Sequence, residues 1–413
     1  MKYIHRQIEG KLKKYVEQFP VVVLTGARQA GKSTLLKQLF KGENWEYVSF
    51  DQRGILERVK ADPDLFVRDI SSNIIIDEAQ KVPELFHSIK WRVDEGLKYK
   101  IILSGSANFQ LLNKVTETLA GRAGVLDLFP FSISEKYDGN NILEILFSSK
   151  DILKAADKIK SSGFIYDEEI FHHVLWGGYP KLIEYKDSES RINWLENYRT
   201  TYIERDLRDL TQVANISDFQ RFYQMLAFQV GNILNLSNLA NDIGVTVPTC
   251  KKYFQILEAS YQYFILKPYH LNIRKRLIKS PKIYSWDTGL CNYFLGNTSI
   301  KELKGKGTFG NIFENYVMSE IAKQNSFLVR KSNMYFWRTA NGAEVDLIME
   351  RGEDIIPVEI KSSVKLSDNS LRGLFDFMKL KTTKRISLGI VFYRGDKIYR
   401  LTDNVLAVPI GYL

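Results

Sequence analysis

Two stretches of this sequence carry residue types at spacings that do chemistry on phosphate. Gly26-Ala27-Arg28-Gln29-Ala30-Gly31-Lys32-Ser33 fits G-x-x-x-x-G-K-S, and Thr34-Leu35-Leu36-Lys37-Gln38-Leu39 continues it in a helical pattern. Glycines let backbone N–H groups wrap an anion, and the helix that opens at Lys32 adds its positive end. Lys32 is expected to reach the β- and γ-phosphates of a nucleotide, with Ser33 on Mg²⁺. The expected contact run is Gly26, Ala27, Arg28, Gln29, Ala30, Gly31, Lys32, Ser33 and Thr34. The second stretch is Ile74-Ile75-Ile76-Asp77-Glu78, a buried-strand pattern that ends in two carboxylates. Asp77 is placed to hold the water shell of Mg²⁺, and Glu78 to orient an attacking water. The adjacent glutamate points to hydrolysis rather than simple nucleotide holding.

A third strand pattern, Lys100 to Ser104, runs into Gly105-Ser106-Ala107-Asn108. A polar side chain there can sit between the two carboxylates and the γ-phosphate. Ser106 is the first candidate and Asn108 the second; an ordinary turn after a strand is the alternative.

Further carboxylates cluster late in the chain. A helical pattern from Gly310 to Gln324 carries Glu314, Gly342-Ala343-Glu344-Val345-Asp346 follows, and Pro357-Val358-Glu359-Ile360-Lys361 comes after a turn at Arg351-Gly352-Glu353-Asp354. The last two stretches read as strands joined by a hairpin. Side chains alternate along a strand, so Glu344 shares a face with Asp346, and Glu359 with Lys361. Asp346 and Glu359 are expected to converge on a divalent metal, with Lys361 beside the attacking water and Glu314 reaching in from the helix.

These groups need elements to hold them. Pro20 to Thr25, Glu46 to Phe50, Asn73 to Asp77 and Lys100 to Ser104 read as strands with crossover helices between them. Runs such as VVVL and IIII suit central parallel strands covered on both faces. The expected fold class is α/β: a parallel-sheet phosphate-loop domain over 1–135, a helical connector over 136–215, a winged helix over 216–280 and a C-terminal α/β domain over 281–413. In the middle region, Leu236 to Ile243 has helical spacing, Gly244 ends that helix, Thr246 is a good N-cap and Pro248 falls in the next first turn. The second helix, Thr249 to Ala259, is expected to bury Tyr253, Ile256 and Leu257 and to present Lys251, Lys252 and Gln255 outward. Tyr261 to Leu266 then begins a wing.

The 413 residues suit about two to four domains at roughly 100–200 residues each. With 45% hydrophobic and 26% charged residues the chain is ordinary globular material, which excludes a disordered or fibrous protein. Two cysteines, Cys250 and Cys291, form neither a disulfide framework nor a structural zinc site. No apolar run approaches a membrane span, and MKYIHRQIEGKLKKY has no apolar signal core, so a cytoplasmic protein is expected. The net charge of +10 favours a polyanionic partner. Between Lys267 and Lys282 there are also Arg274, Lys275, Arg276 and Lys279 with no acid among them. The middle helices and wing therefore either press on DNA or pack between domains.

GARQAGKST, IIIDEAQ and LSGSAN, in that order, resemble the AAA+-like ATPases. The resemblance extends to a large prokaryotic family that joins such an ATPase to a C-terminal domain of unknown function. Gly177-Gly178-Tyr179-Pro180, Tyr202-Ile203-Glu204-Arg205-Asp206-Leu207 and Asp287-Thr288-Gly289-Leu290 carry it along nearly the whole chain. It implies ATP and Mg²⁺ as ligands. In Leu119-Ala120-Gly121-Arg122 it implies Arg122 as an arginine finger supplied to a neighbouring subunit of a homo-oligomer; the alternative is a helix-end arginine. Asp346, Glu359 and Lys361 resemble the PD-(D/E)XK nuclease core, with Val-Asp in place of Pro-Asp. That resemblance implies either metal-dependent DNA cleavage or a nuclease shape kept for docking.

Overall fold

The computed structural model describes residues 3–105, 117–149, 151–203, 215–270 and 280–413. Ser106, Asn108, Glu204 to Leu207, Arg274, Lys275, Arg276 and Lys279 lie outside the described residues.

The first domain is built on five parallel strands: β1 (Val21–Gly26), β2 (Trp45–Ser49), β3 (Asn73–Asp77), β4 (Ile101–Ser104) and β5 (Ala123–Leu128), in the order β2-β3-β4-β1-β5. Their continuous apolar runs have the physical cause expected of a sheet covered on both faces. Val21, Val23, Ile74, Ile76, Ile101 and Leu103 enter one buried cluster. The intervening Val22, Leu24, Ile75 and Ile102 enter another, which helix α1 (Glu9–Gln18) supplies with Leu12. Each such side chain contributes about 1.5–3 kcal/mol when fully buried. Helix α2 (Lys32–Leu39) follows β1 through the phosphate loop, and α3 (Leu85–Asp94) lies between β3 and β4.

In the middle region α4 (Leu236–Ile243) ends at Gly244, whose φ of 80° is left-handed, and α5 (Val247–Ala259) begins at Thr246, whose hydroxyl accepts the Thr249 N–H. Tyr253, Ile256 and Leu257 are buried, while Lys251, Lys252 and Gln255 are exposed. The strand expected from Tyr261 forms as β6 (Tyr263–Pro268) and pairs antiparallel with β7 (Lys282–Ser285). Tyr261 itself sits at φ 57°, in the turn ahead of the strand.

β6 also pairs with β8 (Asn333–Arg338), so the hairpin joins the C-terminal sheet. β9 (Glu344–Arg351) and β10 (Asp354–Lys361) form the expected hairpin. The sheet is completed by β11 (Arg385–Ile386), β12 (Gly389–Tyr393), β13 (Tyr399–Thr402) and β14 (Val405–Pro409). Its order is β13-β14-β12-β10-β9-β8-β6-β7, with β11 beside β10. The domain boundary expected at 280/281 thus falls inside the β6–β7 hairpin. Helix α6 (Phe309–Phe327) is buried along most of its length. Among the described residues no helix is long and apolar enough to cross a membrane.

The motifs Gly177-Gly178 and Asp287-Thr288-Gly289, 109 residues apart from Gly178 to Asp287, meet at one joint. The buried Asp287 carboxylate accepts the Gly178 N–H at 2.7 Å and the Gly289 N–H at 2.9 Å. The Gly178 carbonyl accepts the Phe131 N–H at 2.8 Å. A Cβ on Gly178 would lie 2.0 Å from the Phe131 carbonyl oxygen, which is backbone and cannot swing aside. Gly178→Ala should therefore cost about 3 kcal/mol of stability by overpacking. Urea unfolding checks this against Gly305→Ala, where nothing lies within 4 Å of the new Cβ. A Gly178→Ala chain as stable as Gly305→Ala would remove the joint from the stability argument.

Candidate functional site

The phosphate loop runs from the end of β1 to the start of α2. Gly26 has φ 143°, and a Cβ there would lie 2.0 Å from the Leu128 carbonyl oxygen of β5. Gly31 has φ 98° and caps α2, and Gln29 has φ 58°. Glycine at 26 and 31 thus answers a close strand approach and a left-handed turn. Lys32 is buried, and its ammonium donates to the carbonyls of Gly26 at 3.0 Å and Ala27 at 2.8 Å. The cation is therefore folded into the concave side of the loop, at the N-terminus of α2, where anions are favoured.

Asp77 ends β3, across β4 from the phosphate loop, and four donors converge on it. Ser33 Oγ donates at 2.6 Å and Tyr47 OH at 2.5 Å to one oxygen. Ser104 Oγ and the Glu78 N–H donate to the other. Burial alone would raise the Asp77 pKa. Hydrogen bonds from Ser104, Ser33, Tyr47 and the Glu78 N–H outweigh it and hold the carboxyl below its ordinary value. The group is an anion, and Ser33 and Asp77 present adjacent hard oxygens, the donor set Mg²⁺ takes. Glu78 lies at φ 57°, ψ 37°, left-handed for a residue with a side chain, and Gln80 Nε2 donates to its carboxylate at 2.5 Å. Such backbone strain concentrates at functional sites.

Three contributors were not expected from the sequence. Ser104 reaches Asp77 because β4 lies beside β3 with Asp77 opposite Ser104. A serine closing Ile101-Ile102-Leu103 is the signal that could have found it. Tyr47 arrives from β2, with no local cue. Arg6 lies under the loop: its guanidinium donates to the Ala30 carbonyl at 3.0 Å and the Phe129 carbonyl at 2.7 Å, and pairs with Glu135 at 2.9 Å. Beside α2 a cavity of about 280 Å³ is lined by Tyr3, Arg6, Gly31, Thr34, Pro180 and Glu184, among others.

Arg122 stands elsewhere. It precedes Ala123, which pairs with Val21 at the start of β1, whereas the phosphate loop follows the other end of that strand. Its guanidinium donates to both oxygens of Asp94, at the end of α3, at 2.5 and 3.0 Å. It does not serve the phosphate loop of its own chain.

In the C-terminal domain Asp346 and Glu359 lie on adjacent strands, next to the Leu347–Val358 pair. Asp346 Oδ2 accepts the Ile360 N–H at 2.8 Å, and Lys361 donates to Glu359 Oε1 at 2.5 Å. Glu314 of α6 joins the group. Lys282 of β7 stands among these acids: its ammonium is 3.2 Å from Glu314 Oε1, in contact with Glu344 Oε1 and 4.0 Å from Asp346 Oδ1. Tyr284 OH donates to Glu314 at 2.7 Å. Burial, reinforced by Asp346, lifts Glu314 to about 7 and pushes Glu359 well above the carboxylate range. Burial likewise raises Asp346. Among the described residues no group of three or more His, Cys, Asp or Glu side chains is arranged to hold a metal ion. The divalent site expected at Asp346 and Glu359 meets two ammoniums instead: Lys282 lies 4.0 Å from Asp346, and Lys361 pairs with Glu359.

Residues 18–137 match the family described as an AAA domain. Residues 167–301 match a domain of unknown function, DUF8612, and residues 309–413 another, DUF4143. An uncharacterized protein of Mycobacterium tuberculosis is 30% identical over 408 residues, covering 98% of this chain and 83% of that protein. An uncharacterized protein of Haemophilus influenzae is 22% identical over 393 residues, with 88% of each chain covered. Among solved structures, the Walker-type ATPase of Pyrococcus abyssi is 16% identical with a TM-score of 0.46, covering 71% of this chain and 96% of that one.

Proposed function

This chain belongs to one family with its mycobacterial relative and carries an AAA domain ahead of two further matched domains, and from that premise we propose that it binds ATP with Mg²⁺, hydrolyses it and spends the conformational change on nucleic acid. The observation that carries the hydrolytic reading is the arrangement at the end of β3. An ionised Asp77 is tied to Ser33 of the phosphate loop at 2.6 Å, with Glu78 turned out of the strand path by its left-handed backbone. When bound, Mg²⁺ and the phosphate loop neutralise charge on the transferring phosphoryl group. The chain's own residues then divide the work. The N–H groups of the loop and Lys32 hold the phosphates, Ser33 and Asp77 hold the ion, and Glu78 orients water. The cavity beside α2 suits the base end of the nucleotide.

The nucleic-acid reading rests on the net charge of +10 and on the exposed Lys251, Lys252 and Gln255 of α5, which follows α4 across the Gly244 turn. ATP turnover measured with and without single- and double-stranded DNA tests it. DNA should stimulate turnover, and binding should weaken steeply with salt. Lys251→Ala with Lys252→Ala should lower the slope of log affinity against log salt by about 1.8, at about 0.9 for each phosphate contact to duplex DNA. An unchanged slope would assign these helices to packing. In a homo-oligomer Arg122, released from Asp94, would act as the finger for a neighbouring subunit.

A second reading, a nucleotide-gated regulatory or docking ATPase with an inert nuclease-like domain, is favoured by one observation. Lys282 pairs with Glu314 and Glu344 and stands 4.0 Å from Asp346, one of the carboxylates on which metal-dependent cleavage would depend.

A further inference from the structure

The β6–β7 hairpin does more than extend the C-terminal sheet. β7 begins within the region matched as DUF8612, whereas Glu314, Glu344, Asp346 and Glu359 lie in the region matched as DUF4143. One domain therefore hands a cation to the acids of the next. The backbone that carries this cation is pinned on both sides. Lys282 pairs with Leu266 of β6 and bridges to Ile233. The neighbouring Ile283 accepts the Gly231 N–H at 2.8 Å and donates to the Asn232 carbonyl at 3.1 Å. Only 5% of the Lys282 side chain is exposed, and Tyr284, two residues on, donates to the same Glu314 oxygen at 2.7 Å. Lysines seldom become this buried unless paired, and here three carboxylates surround the ammonium.

The three acids around Lys282 are correspondingly committed. Glu314 Oε1 accepts from both Lys282 and Tyr284. Asp346 divides its oxygens between the Ile360 N–H and the Lys282 side. Glu359 gives one oxygen to Lys361, while its other oxygen is buried without a hydrogen-bond partner. A divalent cation requires several oxygens free to close around it, and an ammonium already paired with those oxygens competes for them.

We infer that Lys282 is the resident cation of the C-terminal acidic cluster, held in the place of a divalent metal, so that the intact chain binds no divalent ion there. The inference deepens the docking reading of the C-terminal domain and needs no assignment at the nucleotide site. Failure of one is therefore distinguishable from failure of the other.

The test is Mn²⁺ binding to the full, nucleotide-free chain, read from loss of the free-ion signal in electron paramagnetic resonance. The unchanged chain and Asp346→Asn should bind Mn²⁺ alike. Lys282→Met should gain one site per chain, at least tenfold tighter than any the unchanged chain shows, and Lys282→Met with Asp346→Asn should lose it again. Lys282→Gln, neutral and still polar, makes the same comparison if circular dichroism shows that the methionine variant does not fold. An Asp346-dependent Mn²⁺ site in the unchanged chain overturns the inference. So does a folded Lys282 variant that gains none.

Discussion

Glu78→Gln should bind ATP with unchanged affinity and hydrolyse it about 10²–10⁴ times more slowly, the range lost when a positioned base is removed. The substitution keeps the shape and removes the charge proposed to orient water. It leaves intact the four donors on Asp77 and the loop that holds the phosphates. Equilibrium binding of a fluorescent ATP analogue, set beside single-turnover hydrolysis, separates the two quantities. Unchanged turnover would take Glu78 out of the mechanism and leave its left-handed backbone without a functional account.

Lys32→Ala should fail earlier, at binding. Its ammonium is the cation folded into the concave side of the loop, and a hydrogen bond to a charged group contributes about 1.5–3 kcal/mol. Nucleotide affinity should fall roughly 10- to 150-fold by that measure. Turnover at saturating nucleotide should fall by a further factor of about 10²–10³, as when one preorganised donor to developing charge is deleted. The same binding and turnover assays check both numbers, with circular dichroism to establish that the variant is folded. An alanine variant that binds ATP normally would place the phosphates somewhere other than the loop.

These residues were readable because their requirements are local. Gly26 and Gly31 meet backbone demands within one turn, and Lys32 follows them at fixed spacing. Ile74 to Ile76 announce a buried strand whose end must carry Asp77 and Glu78. The helix–turn–helix was legible for the same reason, since Gly244, Thr246 and Pro248 each act within a few residues of their own position. The β9–β10 hairpin followed from alternation and the turn at Gly352, which adopts φ 62°.

The sequence by itself determined the phosphate loop, the order of strands along the chain and the faces that Asp346, Glu359 and Lys361 occupy, because period and turn chemistry are written in neighbouring residues. Tertiary structure alone decided what surrounds them. Ser104 and Tyr47 reach Asp77 only because β3 lies between β2 and β4. Arg6 props the loop from a segment with no motif of its own. Gly178 and Asp287 meet across 109 residues, which turns two silent motifs into one joint. Lys282 read as one more member of a basic stretch until pairing with β6 placed it among Glu314, Glu344 and Asp346. A lysine carries the same charge on a surface or in a core. Only the register of the strand beneath it fixes which acids it meets and whether water or carboxylate surrounds it.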